Sequence, residues 1–320
     1  MYDAVQVPYA EKQNDPILEP RGVYEVSAAD PADRGTVQYV EYTMILGDDG
    51  NYLGGYLPAG YDPDRAEPYN VAYMAHGIFG DETDFMIPIS APIILDNLTA
   101  RGEIEPTVMI TMGNHFTGTG LYFASYNQQN AADNLVQTII PFVEENYNVS
   151  NEREGRAYGG FSYGAMTSSQ VMRSYPTAFG YYGLISGAPG PALTAQDYDD
   201  FAAAVGTSGT SVFLGNGFFE TFPDSREVVA DNLRSRGIPA ETAQVPGAHD
   251  GSTASQLFTI WAKDYLWKNA DTPDGGTGRY WWLGRVRSGR RVRLRRSEAD
   301  RRPLRVDAPG AHPAGGLVRR

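Results

Sequence analysis

Near its midpoint the chain carries Tyr158-Gly159-Gly160-Phe161-Ser162-Tyr163-Gly164-Ala165-Met166, which contains the pattern Gly-x-Ser-x-Gly. Residues 155–161, which lead into the serine, predict a short buried strand, and residues 165–175 predict a helix. A serine flanked by glycines between a strand and a helix is typical of a nucleophile elbow. Glycine permits the tight turn, and the helix N-terminus beside the serine favours negative charge. The alternative is a glycine turn with a purely structural role.

Outward from this stretch, strand patterns alternate with helix patterns along most of the chain. This alternation predicts an α/β fold with a doubly wound, mainly parallel sheet. The acidic residues 191–209 are interpreted as an insertion. Helices are predicted at 91–100, 130–147, 225–236 and 252–267. Strands are predicted in an N-terminal antiparallel hairpin, 36–46 and 51–57, and then at 70–75, 107–112, 181–185, 211–214 and 243–245.

A length of 320 residues accommodates one large α/β domain or two small ones. We expect an irregular segment at 1–35, the main domain at 36–268 and a basic, disordered tail without function at 269–320. Residues 276–320 hold 13 arginines and three acidic residues, a balance of +10, so the other residues carry −23 of the net charge of −13. The tail has two alternative interpretations, a binding segment for an anionic partner and an out-of-frame stretch of a GC-rich gene.

Composition excludes several classes of function. The acidic body argues against nucleic acid and anionic membranes as partners. The chain has no cysteine, which excludes disulfides, thiolate metal sites and a cysteine nucleophile. No apolar run approaches the length that crosses a bilayer. The first twenty residues lack a charged-then-apolar signal sequence, so we expect a cytoplasmic chain or one from which a signal has been removed.

A serine hydroxyl needs a base to take its proton, and the chain has four histidines. With a nucleophile elbow the order along the chain is serine, acid, histidine. His249 is the histidine that follows Ser162 within the predicted domain, in a glycine-flanked loop after the last strand, and we predict that it is the base. We expect His76 to be structural and His115 to lie on a polar surface loop, while His312 belongs to the tail.

The oxyanion of a tetrahedral intermediate needs backbone N–H donors that are already in place. One predicted donor is the amide of Tyr163, directly after the nucleophile. The other is the amide of Ile78, in the loop 76–80 that follows an earlier strand. For that loop the alternative is a plain glycine turn.

Seven motifs in order carry a family resemblance: Tyr56-Leu57-Pro58-Ala59-Gly60-Tyr61, His76-Gly77-Ile78-Phe79-Gly80-Asp81-Glu82-Thr83-Asp84, Asp96-Asn97-Leu98, Ile140-Pro141-Phe142-Val143-Glu144-Glu145-Asn146-Tyr147, Gly159-Gly160-Phe161-Ser162-Tyr163-Gly164, Ile185-Ser186-Gly187-Ala188-Pro189 and Gly247-Ala248-His249-Asp250. Across residues 36–267 the chain resembles carbohydrate esterase family one, which contains bacterial feruloyl and acetylxylan esterases. It is most similar to the feruloyl esterase domains attached to xylanases. The resemblance implies an α/β-hydrolase fold, a serine esterase without metal or organic cofactor, and secretion.

The catalytic acid departs from the family pattern, which places an aspartate after a strand as Gly-x-x-Asp. Here Phe218 stands at that position. We predict Glu220 as the acid because it is nearer the strand end, with Asp224 as the alternative at the start of the next helix. The remaining options are Asp197 or Asp199 in the predicted insertion, or no acid at all.

The candidate site residues therefore predict a serine carboxylic ester hydrolase that works through an acyl-enzyme, and the resemblance implies that it removes feruloyl or acetyl groups from plant polysaccharide. Its partner is a small-molecule or polysaccharide ester, and no oligomeric state is predicted. One alternative is a non-catalytic carbohydrate-binding relative, which the missing aspartate favours, and another is an acyltransferase. An aromatic pocket for a cinnamoyl group or a sugar ring is a further hypothesis, against the alternative of ordinary core residues, with candidates Phe79, Tyr122, Phe123, Tyr126, Tyr163 and Phe218.

Overall fold

A computed structural model of the chain describes residues 22–25, 30–45, 51–113, 125–187, 193–206, 209–220 and 224–268. The chain divides into two compact units, Met1–Leu283 and Gly284–Arg320, and all of the described residues belong to the first. The predicted tail, 269–320, and His115 lie outside the described residues. The three-part domain organisation therefore stays a prediction.

The described strands form one mixed sheet in the order β1-β2-β4-β3-β5-β6-β7-β8. The pairs β1/β2 and β2/β4 are antiparallel, and the other pairs are parallel. This sheet confirms the predicted fold class, including the N-terminal hairpin. The strands are β1 Thr36–Tyr42, β2 Asn51–Leu57, β3 Asn70–Ala75, β4 Thr107–Met112, β5 Arg156–Phe161, β6 Tyr181–Ile185, β7 Ser211–Gly217 and β8 Ala240–Val245.

Eight α-helical segments accompany the sheet within the described ranges. They are α1 Gly22–Glu25, α2 Ala91–Ala100, α3 Ser125–Asn134, α4 Ile140–Asn146, α5 Tyr163–Ser174, α6 Ala195–Val205, α7 Arg226–Arg234 and α8 Gly251–Asp264. Among the described residues no helix is long and apolar enough to cross a membrane.

The predicted helix 130–147 is interrupted by one π-helical turn, Leu135–Ile139, which joins α3 to α4. The amide of Ile140 donates to the carbonyl of Leu135, five residues back. Pro141 follows directly and has no N–H to donate, so the regular hydrogen-bond ladder cannot continue through it.

Residues 191–209, interpreted from the sequence as an insertion without assigned secondary structure, contain helix α6. Thr194 and Asp197 form a reciprocal capping box at the start of α6. Tyr198, Phe201 and Val205, spaced three and four residues apart, are buried against the core. The acidic residues of this segment thus mark a helix start and its solvent face.

Two strands, β7 and β8, were predicted too short. Strand β7 continues past Leu214 to Gly217, and β8 begins at Ala240 instead of Ala243. Residues 215–217 pair in register with 243–245. Gly215 and Gly217 have low strand propensity, so propensity alone does not predict that these residues are extended. The first strand, in contrast, was predicted too long: the prediction extends to residue 46, and β1 ends at Tyr42.

Two apolar layers cover the two faces of the sheet. In the layer that contains α8, Trp261 is almost fully buried above β5 and β6. Gly159 and Gly183 are paired in register there, and a Cβ at Gly183 would lie 2.5 Å from the indole ring. Removing a buried tryptophan side chain costs about 3–5 kcal/mol. This packing fixes α8, whose first turn follows the loop that carries His249.

Candidate active site

The nucleophile elbow lies where β5 meets α5. Ser162 has φ 54° and ψ −111°, a conformation that non-glycine residues rarely adopt. Its amide donates to the Ile185 carbonyl at 2.8 Å. A Cβ added to Gly164 would lie 2.1 Å from the carbonyl oxygen of Ala75, and one added to Gly160 would lie 2.4 Å from the Gly164 carbonyl carbon. The close approach of β3, β5 and α5 therefore requires both glycines of the predicted motif.

His249 joins Ser162 to Glu220. Its Nε2 lies 2.8 Å from the Ser162 Oγ, and its Nδ1 lies 3.1 Å from Glu220 Oε2. The imidazole stacks on the ring of Phe161, with 4.9 Å between the ring centroids. When Nδ1 carries the proton and faces the carboxylate, Nε2 accepts the serine hydroxyl. This is the arrangement in which a base activates a nucleophile and an acid orients the base.

Glu220 reaches His249 from a tight turn at the end of β7. Its amide donates to the Gly217 carbonyl at 3.4 Å, and the Phe219 amide donates to the Gly247 carbonyl at 2.9 Å. The turn spans 217–220, so the carboxylate stands two residues beyond Phe218. The structure thus brings the predicted acid to the predicted base although the family's aspartate position is occupied by phenylalanine.

The Glu220 carboxylate is held on both oxygens, and its side chain is 4% exposed. Oε1 accepts from the Gly217 amide at 2.6 Å and from the Ser186 hydroxyl at 2.7 Å, while Oε2 faces His249. Burial alone would raise the pKa of Glu220. The hydrogen bonds from His249, Gly217 and Ser186 outweigh burial and hold that pKa below its usual value.

The alternative acids are engaged elsewhere. Asp224 lies 3.2 Å from the guanidinium of Arg226 and also accepts the Arg226 amide at the start of α7. Asp197 pairs with Arg173 at 3.1 Å. The hydrogen bond from Arg173 is the main cause that lowers the pKa of Asp197 to about 2. Asp199 lies on the far side of α6 from that pair, 2.6 Å from the guanidinium of another arginine.

The loop after β3 passes directly beside the nucleophile. A Cβ added to Gly77 would lie 3.4 Å from the Cβ of Ser162, which places Ile78 next to the site. His76 is buried under this loop, with its Nδ1 2.5 Å from the Gly77 carbonyl oxygen. The amide of Tyr163 belongs to the first turn of α5, directly after Ser162.

Sequence reasoning missed two site residues and misjudged one. It assigned no role to Ser186, directly after β6, or to Phe161, whose ring supports the imidazole. The position of Ser186 at a strand end is the signal that points to it. Tyr163 does not line an aromatic pocket, because its side chain is buried in the core. The described aromatic candidates that reach solvent are Phe79, 80% exposed, and Phe218, 50% exposed.

The remaining aromatic candidates, Tyr122, Phe123 and Tyr126, lie outside the described side chains. In the described ranges no group of three or more histidine and acidic side chains has the geometry to hold a metal ion.

Comparison with known proteins gives a concordant result. A family described as "Putative esterase" matches residues 53–253. An endo-1,4-beta-xylanase/feruloyl esterase of Xylanibacter ruminicola is 28% identical over 210 residues, which cover 64% of this chain and 27% of that protein. Endo-1,4-beta-xylanase Y of Acetivibrio thermocellus is 32% identical over 189 residues, which cover 55% of this chain and 16% of that protein. The chain thus spans about a quarter or less of these relatives.

Among solved structures, the feruloyl esterase module from Clostridium thermocellum in complex with sinapinate has the same fold. It is 23% identical with a TM-score of 0.62, and the alignment covers 75% of this chain and 89% of that one.

Proposed function

The chain belongs to this esterase family, and on that premise we propose that it hydrolyses carboxylic esters through an acyl-enzyme formed on Ser162. The observation that carries the proposal is the continuous hydrogen-bonded series from the Ser162 hydroxyl through His249 to Glu220. Each member has the residue type and the contact that its role requires.

In the acylation step, Ser162 Oγ attacks the ester carbonyl carbon while its proton passes to His249 Nε2. Glu220 stabilises the resulting imidazolium. The negative charge on the carbonyl oxygen is stabilised by the amides of Tyr163 and Ile78, which we assign as the oxyanion hole. When the tetrahedral intermediate collapses, the alkoxide leaves and takes the proton from His249, so an alcohol is released and the acyl group stays on the serine.

Deacylation repeats the sequence with water as the nucleophile. His249 takes a proton from the attacking water, and the same two amides stabilise the second oxyanion. The acyl–oxygen bond to Ser162 then breaks, the serine oxygen regains its proton from His249, and the carboxylic acid leaves. An acyltransferase would differ only in the acceptor that replaces water, and no described contact favours such an acceptor.

We assign the substrate as a feruloyl or acetyl ester on plant polysaccharide. The names of the two xylanase relatives and the family motifs support this class. Phe79 and Phe218 expose aromatic rings on the loops after β3 and β7, on either side of β5 in the sheet. Such rings suit contact with a cinnamoyl group or a sugar ring. A polymeric substrate also implies an extracellular site of action.

A non-catalytic binding protein is the weaker alternative. The missing aspartate favours it, but the Glu220 carboxylate lies 3.1 Å from His249 Nδ1, and this contact supports Glu220 as the acid in place of that aspartate. A binding protein has no need for a buried carboxylate with two further donors on its second oxygen.

The test is hydrolysis of p-nitrophenyl acetate, methyl ferulate and feruloylated arabinoxylan by the wild type and by Ser162→Ala. Ser168→Ala is the matched control, because that buried hydroxyl donates to the Ala165 carbonyl within the same helix. We expect Ser162→Ala to lose activity on every ester and Ser168→Ala to keep it. Absence of wild-type activity above the Ser162→Ala background would contradict the proposal, and failure to release ferulate from both methyl ferulate and the arabinoxylan would contradict the feruloyl part of the substrate assignment.

A further inference from the structure

Ser186 combines two features that rarely occur together in a serine. Its φ is 52°, in the left-handed region that favours glycine, and its side chain is buried at the end of β6. Its amide donates to the Gly215 carbonyl at 2.7 Å, so the backbone is fixed across β6 and β7. Glycine would take this conformation without strain. What distinguishes serine from the unstrained glycine at this position is the hydroxyl group.

The hydroxyl group has one described acceptor, and that acceptor is the candidate catalytic acid. Ser186 Oγ donates to Glu220 Oε1 at 2.7 Å, and the Gly217 amide donates to the same oxygen at 2.6 Å. The two donors come from the residue directly after β6 and from the last residue of β7. They hold one carboxylate oxygen and leave Oε2 for His249.

We infer that Ser186 is a positioning residue that aims the Glu220 carboxylate at His249. The inference rests on the proposed ester hydrolysis and adds to it a residue that does not touch the substrate. A glutamate reached through a four-residue turn has one more rotatable bond than an aspartate at the strand end. The Ser186 hydroxyl removes that freedom by fixing the carboxylate from the neighbouring strand.

Loss of this hydroxyl has a defined electrostatic consequence. Of the groups in contact with the carboxylate, Ser186 and the Gly217 amide are neutral donors, and His249 is the titratable partner from the loop after β8. With one donor removed, the buried carboxylate is less well stabilised, so Glu220 takes up a proton at higher pH. Protonated Glu220 cannot stabilise the imidazolium, so kcat/KM in the variant falls off at a higher pH than in the wild type at the acidic limb of the profile.

The experiment compares Ser186→Ala and Ser186→Gly with the wild type on p-nitrophenyl acetate from pH 4 to pH 9. Both variants lose the hydroxyl, and only the glycine relieves the left-handed strain. We expect kcat to fall about tenfold in both, the size of one hydrogen bond to a charged group. KM should stay unchanged, the acidic limb should shift upward in both, and Ser186→Gly should melt at a temperature at or above that of Ser186→Ala.

Ser255→Ala is the matched control, since Ser255 is as buried as Ser186 but donates to the Ile89 carbonyl. It should leave kcat and the acidic limb at wild-type values. Wild-type kcat with an unshifted limb in both Ser186 variants would overturn the inference, as would a rate loss that only tracks a loss of folded protein. Failure of the proposed function is distinguishable, because Ser162→Ala would then hydrolyse the ester as fast as the wild type.

Discussion

The nucleophile elbow follows β5, and the turn that carries Glu220 follows β7 at the same edge of the sheet. Different interactions hold these two regions in place. At the elbow, backbone packs on backbone, and glycines are required because a Cβ at Gly160 or Gly164 would collide with main-chain atoms. At the acid turn, side-chain hydrogen bonds from separate elements, from Ser186 and His249, fix Glu220. Substitutions at the elbow should therefore lower the free energy of unfolding. Substitutions around Glu220 should lower the catalytic rate and change its pH dependence.

The largest effect that this comparison predicts is at Gly164. Gly164→Ala places a methyl group 2.1 Å from the Ala75 carbonyl oxygen, and neither β3 nor α5 can move away easily. We expect a loss of about 3 kcal/mol or more in the free energy of unfolding, which outweighs the ~1 kcal/mol that alanine gains over glycine in helix propensity. Activity should be lost with it. Urea unfolding and ester hydrolysis measure the two effects.

Gly102→Ala is the control for that experiment. Gly102 has φ 67° with nothing within 4 Å of an added Cβ, so it should lose only about 1 kcal/mol for the left-handed backbone. Gly164 has the ordinary backbone of a residue in α5, so a loss at Gly164 no larger than that at Gly102 would contradict backbone contact as the reason for the elbow glycine.

A smaller effect concerns Asp84, a carboxylate on the loop after β3 whose one backbone hydrogen bond, from Asp81, does not outweigh its burial. Burial, followed by the charge of Asp81, raises the pKa of Asp84 to about 6. A raised carboxyl pKa means that the folded state loses stability as pH rises from about 4 to about 6, and stays lower above that. We expect Asp84→Asn to be more stable than the wild type by about 1 kcal/mol at pH 7, after allowance for solvent screening.

The difference between wild type and Asp84→Asn should largely vanish at about pH 3, below the carboxyl pKa of both the folded and the unfolded chain, where Asp84 is protonated in both. Thermal unfolding at about pH 3 and at pH 7 measures it. If the stability difference between Asp84→Asn and the wild type were the same at both pH values, burial would not be the cause of a raised Asp84 pKa.

The smallest expected effect is at Asp224, which is closest to the acid turn in sequence but pairs with Arg226. Asp224→Asn removes a partly exposed ion pair at the start of α7, so it should cost about 0.5 kcal/mol of stability. Urea unfolding measures that loss. A stability loss of several kcal/mol would mean that Asp224 anchors the acid turn as well.

The same contrast explains what the sequence could predict. Ser162 and His249 were identifiable because the elbow is a local pattern and the chain offers one histidine after it in the fold. Glu220 was chosen only by its nearness to a strand end. Ser186 was missed because its partner lies 34 residues away, and a side-chain contact across two strands leaves no local pattern. Helix α6 was missed because its acidic face masked the spacing of Tyr198, Phe201 and Val205.

The most direct test of the account is kcat for p-nitrophenyl acetate in Glu220→Gln, with Asp224→Asn as the matched acid-to-amide control. Glutamine keeps the size of the side chain but cannot stabilise imidazolium, and loss of the acid in such a series lowers kcat by about 10³–10⁴-fold. We predict that loss in Glu220→Gln with an unfolding temperature near the wild type, and a rate within about twofold of wild type in Asp224→Asn. Wild-type kcat in Glu220→Gln, or the large loss in Asp224→Asn instead, would contradict the assignment of Glu220 as the acid.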